Sequence, residues 1–395
     1  MSPVTFSIVK TSGSARRGRL VTPHGVVETP QFMPVGTQAT VKGVDVERLS
    51  EMGATMVLVN TYHLSLRPTS AHVKARGGIH RFMGWKGPIL SDSGGFQVFS
   101  LRGLRTLTEA GVEFQSHIDG SKHFLSPERS IASQEELGVD VAMAFDECPA
   151  YQSDRVAVSK SLDMTLRWAE RSLKARSRSD MALFGITQGG VFRDLRDRSA
   201  QGIGALPFDG FAIGGLSVGE PKHEMYDVLS YHVASLPVDK VHYLMGVGTP
   251  EDLVTAVSRG VDLFDCVMPT RSGRFGRAFV RGVPPYINIR NAAHAQDDRP
   301  IEEGCSCLAC RNYSRAYLHH LFRVGEMLGP QLLSIHNLAH YQKLMSDIRV
   351  SLEEGTFHSF ASSIQEQWKD VSPEPQGKNA SEADITDGKL TDSPS

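Results

Sequence analysis

Seven short apolar runs recur along the chain, and each one stops on a polar residue or a glycine. Thr55 to Val59 ends at Asn60, Pro88 to Leu90 leads to Asp92, and Val139 to Phe145 ends at Asp146. Ala182 to Thr187 ends at Gln188, Phe208 to Ile213 at Gly214-Gly215, Val241 to Met245 at Gly246, and Val261 to Phe264 at Asp265. Helix signatures lie between them. Ser126-Pro127-Glu128 and Thr249-Pro250-Glu251-Asp252 set a capping hydroxyl before a proline at the first helical position, and Ser153 to Arg176 is a long amphipathic stretch. Strands separated by helices pair in parallel. A mean repeat of roughly 30 residues over seven or eight units predicts an α/β fold, an irregular (β/α)8 barrel. A doubly wound open sheet shares this rhythm, but no GxGxxG or Walker loop follows the first strand. In a barrel, chemistry gathers at the carboxyl ends of the strands, which is where these polar residues fall.

The rest of the chain frames that barrel. Met1 to Met33 reads as an antiparallel β entry turning at Val21 to Gly25. A polar segment from Ala292 to Gly304 precedes two helical stretches, Tyr313 to Leu328 and Pro330 to Ile348. One catalytic domain over residues 1–370 is expected, with a metal-binding subdomain at about 292–350. From Val371 to Ser395 aromatics are missing and Ser, Pro and Asp abound, so a solvated tail is expected. No apolar run approaches the roughly 20 residues that span a bilayer, and the N-terminus lacks the apolar core of a secretory signal. Five cysteines, three of them crowded together, do not make a disulfide framework, which suggests a reducing cytoplasm. With a formal net charge of −2, any nucleic-acid contact must come from a local basic patch.

Such a patch follows Asp265. Arg271, Arg274 and Arg277 are spaced by serine, glycine and phenylalanine, which reads as a flexible cationic loop after a strand-end acid. A solvated basic turn would give the same letters. The acid does not stand alone, however: Asp92 and Asp146 also close strands. Converging carboxylates can divide labour, one attacking an electrophilic carbon while another shuttles a proton. A glycosidic carbon is a natural target, and the arginines place that sugar in a phosphate chain. The combination points to N-glycosidic chemistry on a nucleic acid.

Cys305, Cys307 and Cys310 are soft donors suited to zinc, with His319, His320, His336 or His340 able to complete a tetrahedron. Four protein ligands leave no position for water, so the site would be structural. Cys148 and Cys266 read as packed thiols rather than nucleophiles.

Over about Phe6 to Trp368 the chain resembles the bacterial-type tRNA-guanine transglycosylases, the queuine tRNA-ribosyltransferase family. The likeness rests on Asn60-Thr-Tyr-His63, DSGGFQVFSL from Asp92, LSPERS from Leu125, AFDEC from Ala144 and GITQGG from Gly185. It extends through GGLSVGE from Gly214, LMGVG from Leu244, DCVMPTRSGR from Asp265 and the CxCxxC cluster. The resemblance implies a pentosyltransferase that exchanges the wobble guanine of GUN-anticodon tRNAs for 7-aminomethyl-7-deazaguanine, a step in queuosine biosynthesis. It implies Asp265 as nucleophile and Asp92 as proton acceptor. Asp92, Phe96, Asp146, Gln188, Gly215, Leu216 and Met245 are implied base contacts. Gly246, Val247, Gly248, Thr270, Arg271, Ser272, Gly273 and Arg274 are implied tRNA contacts. Cys305, Cys307, Cys310 and His336 would hold one zinc per subunit of a homodimer. Phe96 stands where some members carry tyrosine, and Ser217 where alanine is familiar. Val218 and Cys148 match the pattern that leaves room for a small aminomethyl group. Two other readings compete: a non-catalytic zinc-containing tRNA-binding protein, and a zinc-dependent barrel hydrolase. The second would need histidines at strand ends, where His63 is the nearest and no HxH pair is present.

Overall fold

The computed structural model describes residues 2–100, 105–369 and 371. All seven apolar runs form parallel strands: Val57–Val59, Ile89–Ser91, Val141–Met143, Ala182–Thr187, Gly210–Ile213, Val241–Leu244 and Leu263–Asp265. The eighth position is filled by Gln31–Met33 and Val35–Gly36, one strand split at Pro34. Leu263–Asp265 pairs in parallel with Gln31–Met33, and Val35–Gly36 pairs in parallel with Val57–Val59. The two edges therefore meet and the sheet closes into an eight-stranded barrel. This corrects the entry segment, which was expected to run to Met33 but ends at Thr29. Pro30 lacks the N–H needed to continue a ladder, and Pro34 interrupts the next strand for the same reason. The gap at Pro34 is bridged by its carbonyl, which accepts from the Leu58 N–H at 3.0 Å.

Side chains alternate across the barrel wall, as a period of two requires. Met33, Leu58, Leu90, Met143, Phe184, Ile186, Ala212, Tyr243 and Leu263 fill the interior. Phe32, Val57, Val59, Ile89, Ala142, Leu183, Phe211, Ile213 and Phe264 face the surrounding helices. Both faces are covered, so the strands read as continuous apolar runs rather than alternating ones. Val4, Leu20 and Val27 pack into the interior cluster. They belong to or adjoin the antiparallel sheet of Thr5–Ser12, Ala15–Thr22 and Gly25–Thr29, which stoppers the amino-terminal end of the barrel. Arg16 fastens this sheet to the last strands through a buried ion pair with Asp262 and bonds to the Val238 and Lys240 carbonyls.

The helices start where their caps place them. Ser126 accepts from the Arg129 N–H at the head of Pro127–Leu137, and Thr249 and Asp252 form a capping box at the head of Pro250–Ser258. The long amphipathic stretch is Arg155–Ala175, capped by Asp154. Beyond the barrel, helix Arg315–Val324 stops at Gly325, whose φ of 77° suits a glycine. The next helix runs further than expected, Leu328–Glu354, and a final helix, Phe357–Trp368, was not anticipated. The Leu328–Glu354 helix clasps the split strand. Gln342 bonds to Gln31 at 2.8 Å and to the Phe32 carbonyl at 3.0 Å, and Arg349 donates to the Pro30 carbonyl at 2.7 Å. Among the described residues no helix is long and apolar enough to cross a membrane. The tail expected beyond Val371 lies outside the described residues.

Candidate active site

The carboxyl ends of the strands bring Asp92, Asp146, Gln188, Gly214 and Asp265 to one mouth of the barrel. Asp265 is the last residue of its strand. Its Oδ1 accepts two hydrogen bonds, from the Tyr243 hydroxyl at 2.6 Å and the Gly246 N–H at 2.8 Å. Its Oδ2 has no donor among the described residues, so one oxygen is anchored and the other is available. Burial raises the Asp265 pKa against the pull of those two donors. Burial and the neighbouring Asp265 charge also hold the Tyr243 hydroxyl far above the ordinary phenol range, so it remains a donor.

Asp92 sits in a cradle of three donors. The Thr61 N–H reaches Oδ1 at 2.8 Å, while Asn60 and Gln97 donate to Oδ2, Gln97 at 2.8 Å. Burial nevertheless pushes Asp92 up to about 6, with the nearby Asp265 charge adding to the rise. Asp146 is likewise pushed up to about 6 by burial, against bonds from Gln188 Nε2 at 2.7 Å and Ser93 Oγ at 3.5 Å. Acids poised near 6 can exchange protons at working pH, which an ordinary carboxylate does poorly. The bond to Asp146 turns the Gln188 amide so that its Oε1 is buried without a partner. A fixed carboxylate offers a purine edge an acceptor for its N–H groups. Gly215 borders this pocket at φ 66°, and a side chain there would collide with Gln188 Oε1.

One residue of this pocket escaped the sequence reading. Arg196 is fully buried, and no carboxylate among the described residues pairs with it. Its guanidinium donates to the carbonyls of Gly190 at 2.7 Å, Gly214 at 2.9 Å and Gly215 at 3.2 Å. It thus ties the loops after two adjacent strands into one wall behind Gln188. An arginine on a helix in an otherwise charged stretch, Arg193–Gly204, gives no local sign of this role. Glu220 was missed as well; it accepts from the Ser217 and Val218 N–H groups and holds Ser217 at φ 58°.

Phe96 is half exposed at the mouth, and Met245 is half-buried against the interior cluster. Leu216 is buried. Burial pushes the thiols of Cys148 and Cys266 up to about 12, in keeping with packed side chains.

The segment after Asp265 is not a flexible loop. Met268–Arg274 is a helix with proline in its first turn. Asn337 donates to the Pro269 and Arg277 carbonyls, both at 2.9 Å, and a Cβ on Gly273 would lie 2.7 Å from the Ser334 backbone nitrogen. The glycine therefore serves close packing against the Leu328–Glu354 helix rather than mobility. Gly246 is exposed and Arg271 and Arg274 are half-exposed, whereas Val247, Gly248, Thr270, Ser272 and Gly273 are buried beneath them. Arg277 stands on the strand Arg277–Phe279 with its guanidinium 4.4 Å from the centre of the Tyr286 ring.

Cys305, Cys307, Cys310 and His336 converge as a group that could hold a metal ion. The three sulfurs lie 3.8, 3.6 and 3.3 Å from His336 Nδ1. A tetrahedron with metal–sulfur bonds of about 2.3 Å and metal–nitrogen bonds of about 2.05 Å has an edge of about 3.6 Å, so the donors fit zinc. The far nitrogen, Nε2, bonds to the Phe279 carbonyl at 2.7 Å, which fixes Nδ1 as the ligand atom. His340 instead faces Glu302 at 3.7 Å, and His319 bonds to the Ile289 carbonyl. Neither of the two metal-capable groups among the described residues includes Asp92, Asp146 or Asp265.

A family model described as queuine tRNA-ribosyltransferase matches residues 11–370. The chain belongs to the queuine tRNA-ribosyltransferase family. Relatives bearing that name include one from Dinoroseobacter shibae, 54% identical over 93% of this chain and 98% of its own length. One from Desulforamulus reducens is 56% identical over 89% of this chain and 95% of its own length. One from Pseudomonas syringae pv. tomato is 54% identical over 90% and 96%. These matches span nearly the whole of this chain and of each relative.

Proposed function

We propose that this protein is a tRNA-guanine transglycosylase that replaces the wobble guanine of GUN-anticodon tRNAs with 7-aminomethyl-7-deazaguanine. The observation that carries the reading is the asymmetry of Asp265. With Oδ1 held by Tyr243 and Gly246, Oδ2 is the oxygen placed to bond to C1′ of the ribose as the C1′–N9 bond of guanine breaks. A covalent ester at C1′ lets one base leave and another enter the same pocket without a free oxocarbenium ion. Asp92, at about 6, can give a proton to departing guanine and take one from N9 of the incoming base, leaving no net proton change. The new N9–C1′ bond then frees Asp265.

Ionised Asp146 would accept from the purine edge, with Gln188, Gly215 and Leu216 beside it and Phe96 and Met245 stacking on its faces. A nucleotide must leave the anticodon stack to arrive there, and Gly246, Arg271 and Arg274 line its approach. Val218 and Cys148 leave room for a small aminomethyl group rather than a larger ring. Cys305, Cys307, Cys310 and His336 would hold one zinc, which supplies structure and no chemistry at the barrel mouth. A homodimer working in the cytoplasm belongs to the same proposal.

Because the reaction needs Asp265 and Asp146 ionised in the free enzyme, kcat/KM is expected to fall as pH drops below about 6, and because Asp92 must carry the proton it gives to guanine, to fall again as pH rises above about 6. A pH–rate profile checks this; a flat profile down to about pH 5 contradicts the assigned roles. The central test is trapping. Enzyme, an anticodon stem-loop and a non-reacting purine analogue should give a protein–RNA band that survives denaturation. Reversible binding without such a band would favour a non-catalytic tRNA-binding protein.

A further inference from the structure

A second cluster lies at the opposite end of the barrel from the carboxylates. Asp140 immediately precedes the strand Val141–Met143, at its amino-terminal end. Its side chain is fully buried, and Oδ2 accepts from the Ile89 N–H at 2.8 Å. Two imidazoles from separate parts of the chain reach the same carboxylate. His24, on the turn between Ala15–Thr22 and Gly25–Thr29, sets Nδ1 2.7 Å from Oδ1. His80, on the short helix Ile79–Met83, sets Nε2 3.1 Å from Oδ2. One ligand atom from each of the three lies within 4.8 Å of the others.

We propose that His24, His80 and Asp140 form a second metal site, taking a divalent transition ion that favours imidazole, such as zinc. Two nitrogens and one carboxylate oxygen are a donor set for such ions, with water completing the coordination. The Ile89 N–H orients the carboxylate from behind, the supporting contact that ligating groups usually have. With both imidazoles neutral the cluster carries one negative charge, and a buried carboxylate with no Lys or Arg partner among the described residues gains from a cation. Access exists, since the His24 side chain is 42% exposed and that of His80 is 15% exposed. The two rings are stacked, with centres 3.7 Å apart and planes 16° apart. Stacked rings direct their in-plane lone pairs along near-parallel planes, so binding an ion here requires the exposed His24 ring to rotate on its turn. A bound ion would then staple the stoppering sheet to the barrel floor, far from the residues assigned to base exchange.

The test uses full-length protein already loaded with zinc at the thiolates, titrated with Co2+. One further equivalent is expected, with weak visible d–d bands and no thiolate-to-cobalt charge transfer, because its donors are nitrogen and oxygen. His24→Gln, on an exposed turn, should keep the fold and lower the Co2+ affinity roughly tenfold or more, and His80→Gln should do the same. Zn2+ should raise the melting temperature of the wild type and not of His24→Gln. The proposal is overturned if no second equivalent binds, if the only cobalt signal is thiolate charge transfer, or if both variants bind as the wild type does. None of these readouts depends on transglycosylation, so failure here leaves the proposed function standing.

Discussion

Asp265→Asn is expected to lose guanine incorporation by roughly 10^4-fold or more while still binding tRNA. The substitution is nearly isosteric. An asparagine oxygen can keep the bonds from Tyr243 and Gly246, so the pocket should stay assembled. What disappears is the second oxygen: an amide nitrogen carries no lone pair able to bond to C1′. Radiolabelled guanine exchange into an unmodified GUN transcript measures the loss, and a shift assay measures tRNA affinity, which should stay within about threefold of wild type. The trapped protein–RNA band should vanish in the same variant. Wild-type exchange by Asp265→Asn would remove the nucleophile from the proposal altogether.

Cys307→Ser should cost the fold rather than the chemistry. Cys307 is 7% exposed, caps the helix Leu308–Asn312, and sits in the apolar cluster of Ala278, Ile289, Ile301, Leu318 and Leu333. Closed zinc sites supply about 10–16 kcal/mol to the folded state of small zinc domains, so removing one thiolate from four ligands removes a large share of the local stability. The expected result is loss of about one equivalent of zinc and a melting temperature lower by about 10 °C. The effect should reach the barrel, because His336 and the strand-clasping Gln342 ride on the same helix, Leu328–Glu354. A stable wild-type protein containing no metal would contradict it.

Much of this architecture was legible in the chain because buried parallel strands need unbroken apolar letters, and their ends need polar ones. Ser126 and Thr249 announced their helices because capping is local chemistry. The first strand was misplaced because its two prolines resemble punctuation, and only closure of the ring makes three residues on one side of Pro34 and two on the other into one element. The helix Met268–Arg274 was missed for a related reason. Serine, glycine and arginine favour a mobile turn unless another helix packs against them, and that helix begins more than fifty residues later. The three acids were visible as strand ends, and the Cys305-Cys307-Cys310 spacing as a metal motif. Arg196 and Glu220 were not, since each acts through backbone carbonyls or N–H groups brought near only by folding. Sequence spacing likewise left four histidines open as the fourth ligand, and side-chain direction decides among them.

The split strand also sets an order of events during synthesis. Gln31 and Phe32 leave the ribosome early, but Gln342, which grips the Phe32 carbonyl, is made 310 residues later. Leu263–Asp265, the neighbour that seals the ring, also emerges late. Until Leu263–Asp265 is made, the nascent sheet therefore carries a raw edge, the kind of surface that recruits chaperones or a neighbouring nascent chain.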